Sequence, residues 1–367
     1  MESDLQKTLA TLKESLSYRY LPIVDHVSSY NFQSNDYLNL ATNTALFDAA
    51  SDAMKHYGFG STGSRLLSGN YDMMTMLEES LATFLGKERV LVFNSGFQLN
   101  SGVIPTLYGK NDLIIADKYC HASLLDGIKF SGATIKRFNH NDMAHLNDLL
   151  QKHRSFYKRC LIVTESLFSM DGDRAPLKSF QDLADKHYAD TMVDEAHSLG
   201  VLGEAGRGLC FQEGVSPTYI VGTFGKAMGS CGAFIAASTI VCDYLINRCR
   251  AFIYTTALPV PVIAATNQAL ALIQHMDSER DHLHVTARYF TKMMKQKGYD
   301  LLGDHHILSL IYPGNRTLLD RYSQLKDAGI AVSAIRHPTV PKGKERFRFS
   351  LKLSHTKADI DYVVEQF

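Results

Sequence analysis

The sequence has no excess of charge of either sign: 38 lysines and arginines balance 38 aspartates and glutamates over 367 residues. That balance gives no support to a basic nucleic-acid surface or an acidic tail. No run of roughly 18 apolar residues occurs, which argues against a membrane span. Residues 1–16 lack an apolar core and carry Glu2, Asp4 and Glu14, so they do not read as a secretory signal. The six cysteines include no C-x-x-C pair and read as free thiols of a reducing cytoplasm. No H-E-x-x-H occurs, and His305-His306, adjacent on an expected strand, would point to opposite faces. No metal site is therefore expected. Internal repeats and low-complexity linkers are also missing. What remains is ordinary for a globular chain, with 45% hydrophobic and 21% charged residues, and it is long enough to bury a sizeable core.

Short apolar runs alternate with helical patterns through the middle of the chain. Residues 90–93, 113–116, 161–164, 191–194, 219–222 and 233–236 are continuous and apolar, as strands covered on both faces are. Helical spacing fills 143–153 and 177–187 between them. Strands alternating with helices predict an α/β fold with a mostly parallel sheet. Beyond a long helical region at 261–276 the pattern changes. Strands are expected at 307–312, 330–334 and 346–351, and helices at 281–297, 317–328 and 358–367. The expected organisation is an N-terminal segment 1–45, a large domain 46–283 and a smaller C-terminal α+β domain 284–367.

Gly58-Phe59-Gly60-Ser61-Thr62-Gly63 fits G-x-G-x-x-G. A dinucleotide fingerprint needs a strand immediately before it. Residues 46–56 have a helical pattern instead, so the motif reads as a glycine-rich connection and a nicotinamide dehydrogenase is disfavoured.

The informative residues sit at strand ends, where open α/β sheets bind ligands. Asp194-Glu195-Ala196-His197 follows one strand and Thr223-Phe224-Gly225-Lys226 the next. Asn94-Ser95-Gly96-Phe97 follows another and opens a helix, His121 follows the 113–116 strand, and Glu165 and Ser169 end the 161–164 strand. Pyridoxal phosphate needs this combination: a lysine for a Schiff base, an acid for the pyridine nitrogen, donors for the phosphate and a group on the ring face. Lys226 supplies the amine and Asp194 the acid. The Gly96 and Phe97 N–H groups at a helix start suit the phosphate, with the Thr223 hydroxyl beside them. His121 is placed to stack on the ring and His197 to meet its hydroxyl.

These segments resemble the α-oxoamine synthases, fold-type I pyridoxal-phosphate enzymes that condense an amino acid with an acyl thioester and release carbon dioxide. The likeness runs through Ser34-Asn35-Asp36-Tyr37-Leu38, Ser64-Arg65-Leu66-Leu67-Ser68-Gly69, His121-Ala122-Ser123-Leu124, Phe138-Asn139-His140-Asn141-Asp142, Ile335-Arg336-His337-Pro338-Thr339 and Arg346-Phe347-Arg348. It implies Lys226, Asp194, His197 and His121 as the catalytic set, with Glu165, Ser169, Thr255 and Thr256 also on the cofactor. It implies Arg348, Thr339, Asn35, Arg19 and Ser64 as substrate-binding. Arg346 shares a strand face with Arg348, and the resemblance alone selects Arg348 as the carboxylate clamp. Thr255 and Thr256 look like the pair that reaches the phosphate of a second subunit, which implies a homodimer.

The stretch Ser64 to Gly69 is most similar to the branch that joins alanine to a pimeloyl thioester, on coenzyme A or an acyl carrier protein. Branches using glycine with acetyl-CoA, or serine with a long acyl thioester, are the nearest alternatives, and a pyridoxal-phosphate aminotransferase is the next. Asn39 stands where the family usually has glycine, and Gln98-Leu99 replaces small residues.

Overall fold

A computed structural model describes residues 1–21 and 30–367. The chain divides into two compact units. Leu38–Ser169 and Arg174–Arg280 make the larger; Met1–Tyr37, Met170–Asp173 and Asp281–Phe367 make the smaller. The smaller unit thus draws on both ends of the chain and on a four-residue excursion from its middle, where the sequence pattern had set residues 1–45 apart as a segment.

In chain order, β1 (Tyr30–Asn31) belongs to the smaller unit. The larger unit then contributes β2 (Arg89–Phe93), β3 (Leu113–Asp117), β4 (Thr134–Phe138), β5 (Cys160–Glu165), β6 (Asp190–Asp194), β7 (Tyr219–Thr223) and β8 (Ala233–Ala237). The smaller unit closes the series with β9 (Leu301–Leu302), β10 (Ile307–Ile311), β11 (Ile330–Ala331), β12 (Ser333–Ile335) and β13 (Arg346–Ser350).

The larger unit is built on a seven-stranded sheet in the order β2-β8-β7-β6-β5-β3-β4. Its pairs β3–β4, β3–β5, β5–β6 and β6–β7 are parallel, and β8 runs against both its neighbours. Residues 224–232, which join β7 to β8, are too few for a crossover helix, so β8 has to return antiparallel. β3 and β5 are buried along their whole length, because helices cover both faces. Each leucine or isoleucine so buried contributes roughly 1.5–3 kcal/mol. The carboxyl ends of β2, β3, β5, β6 and β7 therefore emerge at one edge, and the segments carrying Asn94, His121, Glu165, Asp194 and Lys226 emerge with them.

Two features of the connections follow from close packing. The helix Thr44–Tyr57 runs directly into Gly58, so no strand precedes the glycine-rich loop. A Cβ on Gly69 would strike the Gly63 carbonyl and lie 2.8 Å from Ala257 Cβ, so glycine there lets two backbones meet. Asn39 has φ +55°, a left-handed conformation that asparagine tolerates better than most residues.

The smaller unit holds an antiparallel sheet in the order β12-β13-β10-β9, and β1 pairs parallel with β11. The expected strand at 330–334 is two short strands, β11 and β12, separated at Val332. His305 and His306 precede β10 and do not lie within it. His305 Nδ1 is 3.0 Å from His284 Nδ1, and the His306 ring meets Tyr37 edge-on at 4.2 Å. Phe32, Phe290 and Phe349 form the aromatic core, and the His355 ring stacks on Phe32 at 4.0 Å.

His355 gives this unit an acid sensitivity. The Lys352 N–H donates to Nδ1 at 3.0 Å, so the ring proton sits on Nε2 and goes to the Asn31 carbonyl, also 3.0 Å away. A second proton on Nδ1 would break the first bond and charge a buried ring. Burial, with Lys352 adding, holds the pKa down at about 4 from its ordinary 6.5. A depressed histidine stabilises the fold fully above pH 6.5 and loses that contribution as pH falls through 4. The full swing is about 3 kcal/mol. His355→Gln is expected to flatten the fall in unfolding free energy between pH 6.5 and 4, read by denaturant titration. An unchanged slope would show that other groups carry the acid response.

Candidate active site

The loop between β7 and β8 presents Lys226. Thr223 Oγ1 donates to the Gly232 carbonyl at 2.9 Å, Gly229 N–H to the Lys226 carbonyl at 2.9 Å, and Ser230 N–H to the Phe224 carbonyl at 2.9 Å. Phe224 is fully buried and stacks on Phe234. These bonds fix the base of the loop, and Lys226 Nζ lies 2.8 Å from His197 Nε2. His197 itself is buried three residues beyond the end of β6. The Thr223 hydroxyl proton is committed to Gly232 and its oxygen accepts from Gly225 N–H at 3.2 Å, so this residue frames the loop.

Asp194 ends β6. Its Oδ1 accepts from Ala196 N–H at 2.9 Å, while among the described residues Oδ2 has only a long contact of 3.5 Å to Asn100 Nδ2. One carboxylate oxygen is thus held and the other is available. The neighbouring Glu195 is different in kind. It is buried and accepts from Ser166 Oγ at 2.9 Å, Leu209 N–H at 3.0 Å, Cys210 N–H at 2.6 Å and the Ser198 hydroxyl. Glu195 ties the loops after β5 and β6 together. Two adjacent acids therefore have two jobs, a division that composition and spacing did not reveal.

His121 caps the helix Ala122–Ser131. Its Nδ1 is 2.8 Å from Ser123 Oγ, and its backbone N–H donates to Glu165 Oε1 at 2.6 Å. The imidazole is held below its ordinary pKa, by desolvation first; Asp194 pulls it up and Lys226 pushes it down. Burial pushes the Glu165 carboxyl up, with Asp194 adding and Lys226 opposing. Lys226, Asp194, His121 and Glu165 are therefore near enough to share one field. Asn100, which the sequence motifs did not single out, links them: its Nδ2 reaches Ser123 Oγ at 3.0 Å as well as Asp194. A Cβ on Gly127 would collide with the Asn100 carbonyl, so glycine lets the two helices approach. A second unforeseen group is Asp117, fully buried at the end of β3. It accepts from Tyr119 and Asn141 N–H groups and lies 3.0 Å from His140 Nδ1, which fixes the turn leading to His121.

Gly96 and Phe97 open the helix Gly96–Leu107, capped by Ser95 Oγ accepting from Gln98 N–H at 3.2 Å. Helix geometry leaves their own N–H groups without intrahelical acceptors. Asn94 Nδ2 donates to Thr255 Oγ1 at 3.2 Å and to the Thr256 carbonyl at 2.7 Å, which brings both threonines to the end of β2 in the same chain. Ser64 pairs with Thr256 in an isolated antiparallel bridge. Ser169 is the last residue before the excursion at Met170.

The smaller unit carries the other expected residues. Arg346 and Arg348 are both buried and both on one face of β13. Arg346 is neutralised by Asp171 at 2.7 Å. Arg348 donates to Asn35 Oδ1 at 3.2 Å from each terminal nitrogen and to Ser350 Oγ at 2.7 Å. Arg19 reaches the exposed Thr339 hydroxyl at 3.3 Å, and Arg336 donates to the Leu16 carbonyl at 2.6 Å. Arg19, Arg336 and Thr339 line a cavity of about 260 Å³ with Tyr20 and His337.

The larger unit's groups fit pyridoxal phosphate: a lysine amine on a fixed loop, a carboxylate oxygen with one weak contact, first-turn N–H donors and a capped histidine. Buried Asn100 Oδ1, without a partner among the described residues, adds a polar atom at the same place.

Residues 28–367 match the aminotransferase class I and II family. An 8-amino-7-oxononanoate synthase from Trichlorobacter lovleyi is 43% identical over 338 residues, covering 91% of this chain and 86% of the relative. The chain belongs to the α-oxoamine synthases. Solved α-oxoamine synthase structures share its backbone. A serine palmitoyltransferase from S. paucimobilis, solved with pyridoxal phosphate and myriocin, superposes with a TM-score of 0.92 at 29% identity, covering 99% of this chain and 96% of that one. An 8-amino-7-oxononanoate synthase from Francisella tularensis gives 0.81 at 31% identity, covering 92% and 96%. Among the described residues, no helix of this α-oxoamine synthase is long and apolar enough to cross a membrane.

Proposed function

We propose that the protein condenses L-alanine with a pimeloyl thioester, releasing carbon dioxide and the free thiol, to give 8-amino-7-oxononanoate, a step of biotin synthesis. The observation that carries this reading is the 43% identity to a synthase of that name together with Lys226 Nζ set 2.8 Å from His197 Nε2. The cofactor is pyridoxal phosphate, which when bound supplies an electron sink for charge developing at the amino acid Cα. Lys226 holds the cofactor and, once freed, takes the Cα proton as general base. His197 holds the lysine nitrogen and meets the ring hydroxyl. Asp194 binds the ring nitrogen through its available oxygen. Gly96 and Phe97 serve the phosphate end, Thr223, whose hydroxyl proton goes to Gly232 and not to the phosphate, frames the loop beside them, His121 covers the ring, and Glu165 and Ser169 complete its surroundings. Arg348 grips the amino acid carboxylate as a fork that lysine could not reproduce, with Asn35 beside it. Arg19, Thr339 and Ser64 serve the acyl substrate.

A homodimer in the cytoplasm completes the reading, with Thr255 and Thr256 reaching the phosphate held by a second copy. The thioester is carried by coenzyme A or an acyl carrier protein.

One observation favours a second reading: the backbone is nearer to serine palmitoyltransferase than to the Francisella synthase. Substrate choice follows side chains more than backbone, so sequence identity decides for alanine. Titrating the holoenzyme with alanine, glycine and serine, followed by visible absorption, tests this. Alanine is expected to saturate at the lowest concentration, and pimeloyl thioester then to release carbon dioxide. A tighter response to serine, with turnover of a long acyl thioester, would transfer the assignment to the second reading.

A further inference from the structure

The Asn35 side chain is the meeting point of a small donor network. Its Oδ1 accepts from Tyr37 Oη at 3.1 Å, from Ser350 Oγ at 3.1 Å and from both terminal nitrogens of Arg348 at 3.2 Å. Ser350 Oγ in turn accepts from Arg348 Nη1 at 2.7 Å while it donates to Asn35 Oδ1. Tyr37 is fully buried and cannot give its proton to water. Its pKa, raised to about 12 by burial, keeps that proton in place.

An asparagine amide can be turned end for end with little change of shape, and only its neighbours decide the orientation. Here the neighbours are a guanidinium and two hydroxyl protons. Reversal would set the NH2 group against the charged, donor-only guanidinium and would take from both hydroxyl protons the acceptor they now have. Oδ1 therefore faces Arg348, and Nδ2, which has no acceptor among the described residues, is left as the donor for an incoming group. Backbone bonds hold the frame: Ser350 N–H donates to the Phe32 carbonyl and Leu353 N–H to the Tyr37 carbonyl, both at 2.8 Å.

We infer that Tyr37 and Ser350 are positioning residues that fix the direction of the Asn35 amide, and through it the affinity of the enzyme for the amino acid carboxylate. The inference rests on the reading of Arg348 and Asn35 as the carboxylate clamp. Two neutral hydroxyls thereby set amino acid affinity without touching the amino acid. The acyl thioester, which has no carboxylate at that clamp, is unaffected.

The test uses the holoenzyme with alanine and pimeloyl thioester varied in turn. Tyr37→Phe and Ser350→Ala are each expected to raise KM for alanine roughly 3- to 10-fold, the effect of losing one neutral hydrogen bond. The alanine dissociation constant from visible absorption should rise in step. Turnover at saturation should stay within about twofold and the thioester KM should not move. Ser350→Thr, which keeps the hydroxyl, should recover the parent KM, and this pair decides the matter even where Tyr37→Phe folds poorly. Unchanged alanine KM and binding in Tyr37→Phe and Ser350→Ala overturns the inference, as does an equal rise in both substrates' KM. Arg348→Lys, measured alongside, separates the two levels. If it raises alanine KM while the hydroxyl variants do nothing, the clamp stands and the positioning role falls. If it leaves alanine KM unchanged, the clamp reading itself is wrong and the inference goes with it.

Discussion

Lys226→Ala is expected to lower turnover about a thousandfold or more while leaving the fold intact. The loss combines the covalent hold on the cofactor with the general base for the Cα proton, and a positioned base alone contributes about 10²–10⁴. Folding should survive because the loop does not depend on the lysine side chain. Its closure runs through Thr223 Oγ1 to Gly232, through Gly229 N–H to the residue 226 carbonyl, and through the stacked Phe224 and Phe234 rings. Alanine keeps the backbone groups. The variant should still bind pyridoxal phosphate non-covalently, but borohydride should no longer fix it to the chain. Lys226→Arg should fail in the same way, since a guanidinium keeps the charge but neither forms the link nor gives up a proton near neutrality. Turnover within tenfold of the parent in either variant would remove Lys226 from both roles.

The lysine stands out in the sequence because its signal is local: a polar residue just past a short apolar strand, with threonine three residues earlier. The strands themselves were legible for a related reason. β3, β5 and β7 are covered on both faces, so their sequences are continuous apolar runs. β4 escaped the same test. It lies at the sheet edge, is only partly buried and carries Lys136 and Arg137, so it offers no such run. Pairings between distant residues were illegible altogether. Asp171 pairs with Arg346 from 175 residues away in sequence. The division of labour between Asp194 and Glu195 depends on Ser166, Ser198, Leu209 and Cys210 converging on one carboxylate. No periodicity in the chain encodes that convergence. The resemblance to a family selected Asp194 and Arg348; for Asp194 the contacts offer a physical reason for that reading, one carboxylate oxygen bound to Ala196 N–H and the other with a single long contact among the described residues.

That reason makes Asp194→Asn the more searching of the two substitutions at the pyridine end. The loop constraint should persist, because an amide oxygen can still accept from Ala196 N–H as Oδ1 does at 2.9 Å. The amide nitrogen then takes the place of Oδ2 and turns a donor toward Asn100 Nδ2 and the pyridine nitrogen. It can neither accept a ring proton nor stabilise the ring charge. A unit charge pair near 4 Å in a medium of effective dielectric about 20 is worth about 4 kcal/mol, which is roughly a thousandfold in rate. Turnover is expected to fall by that order, while the phosphate donors and Lys226 keep much of the cofactor bound. Asp194→Ala should match it in rate but bind cofactor less well, since the Ala196 bond is also lost. Glu165 provides a readout apart from catalysis. Its carboxyl is raised first by burial and then by the charge of Asp194, so removing that charge should lower its pKa in the cofactor-free protein. Carboxyl titration by NMR would show the shift. Turnover of Asp194→Asn near the parent level would mean that the ring charge is met elsewhere, and Glu165 would then be the carboxylate to replace.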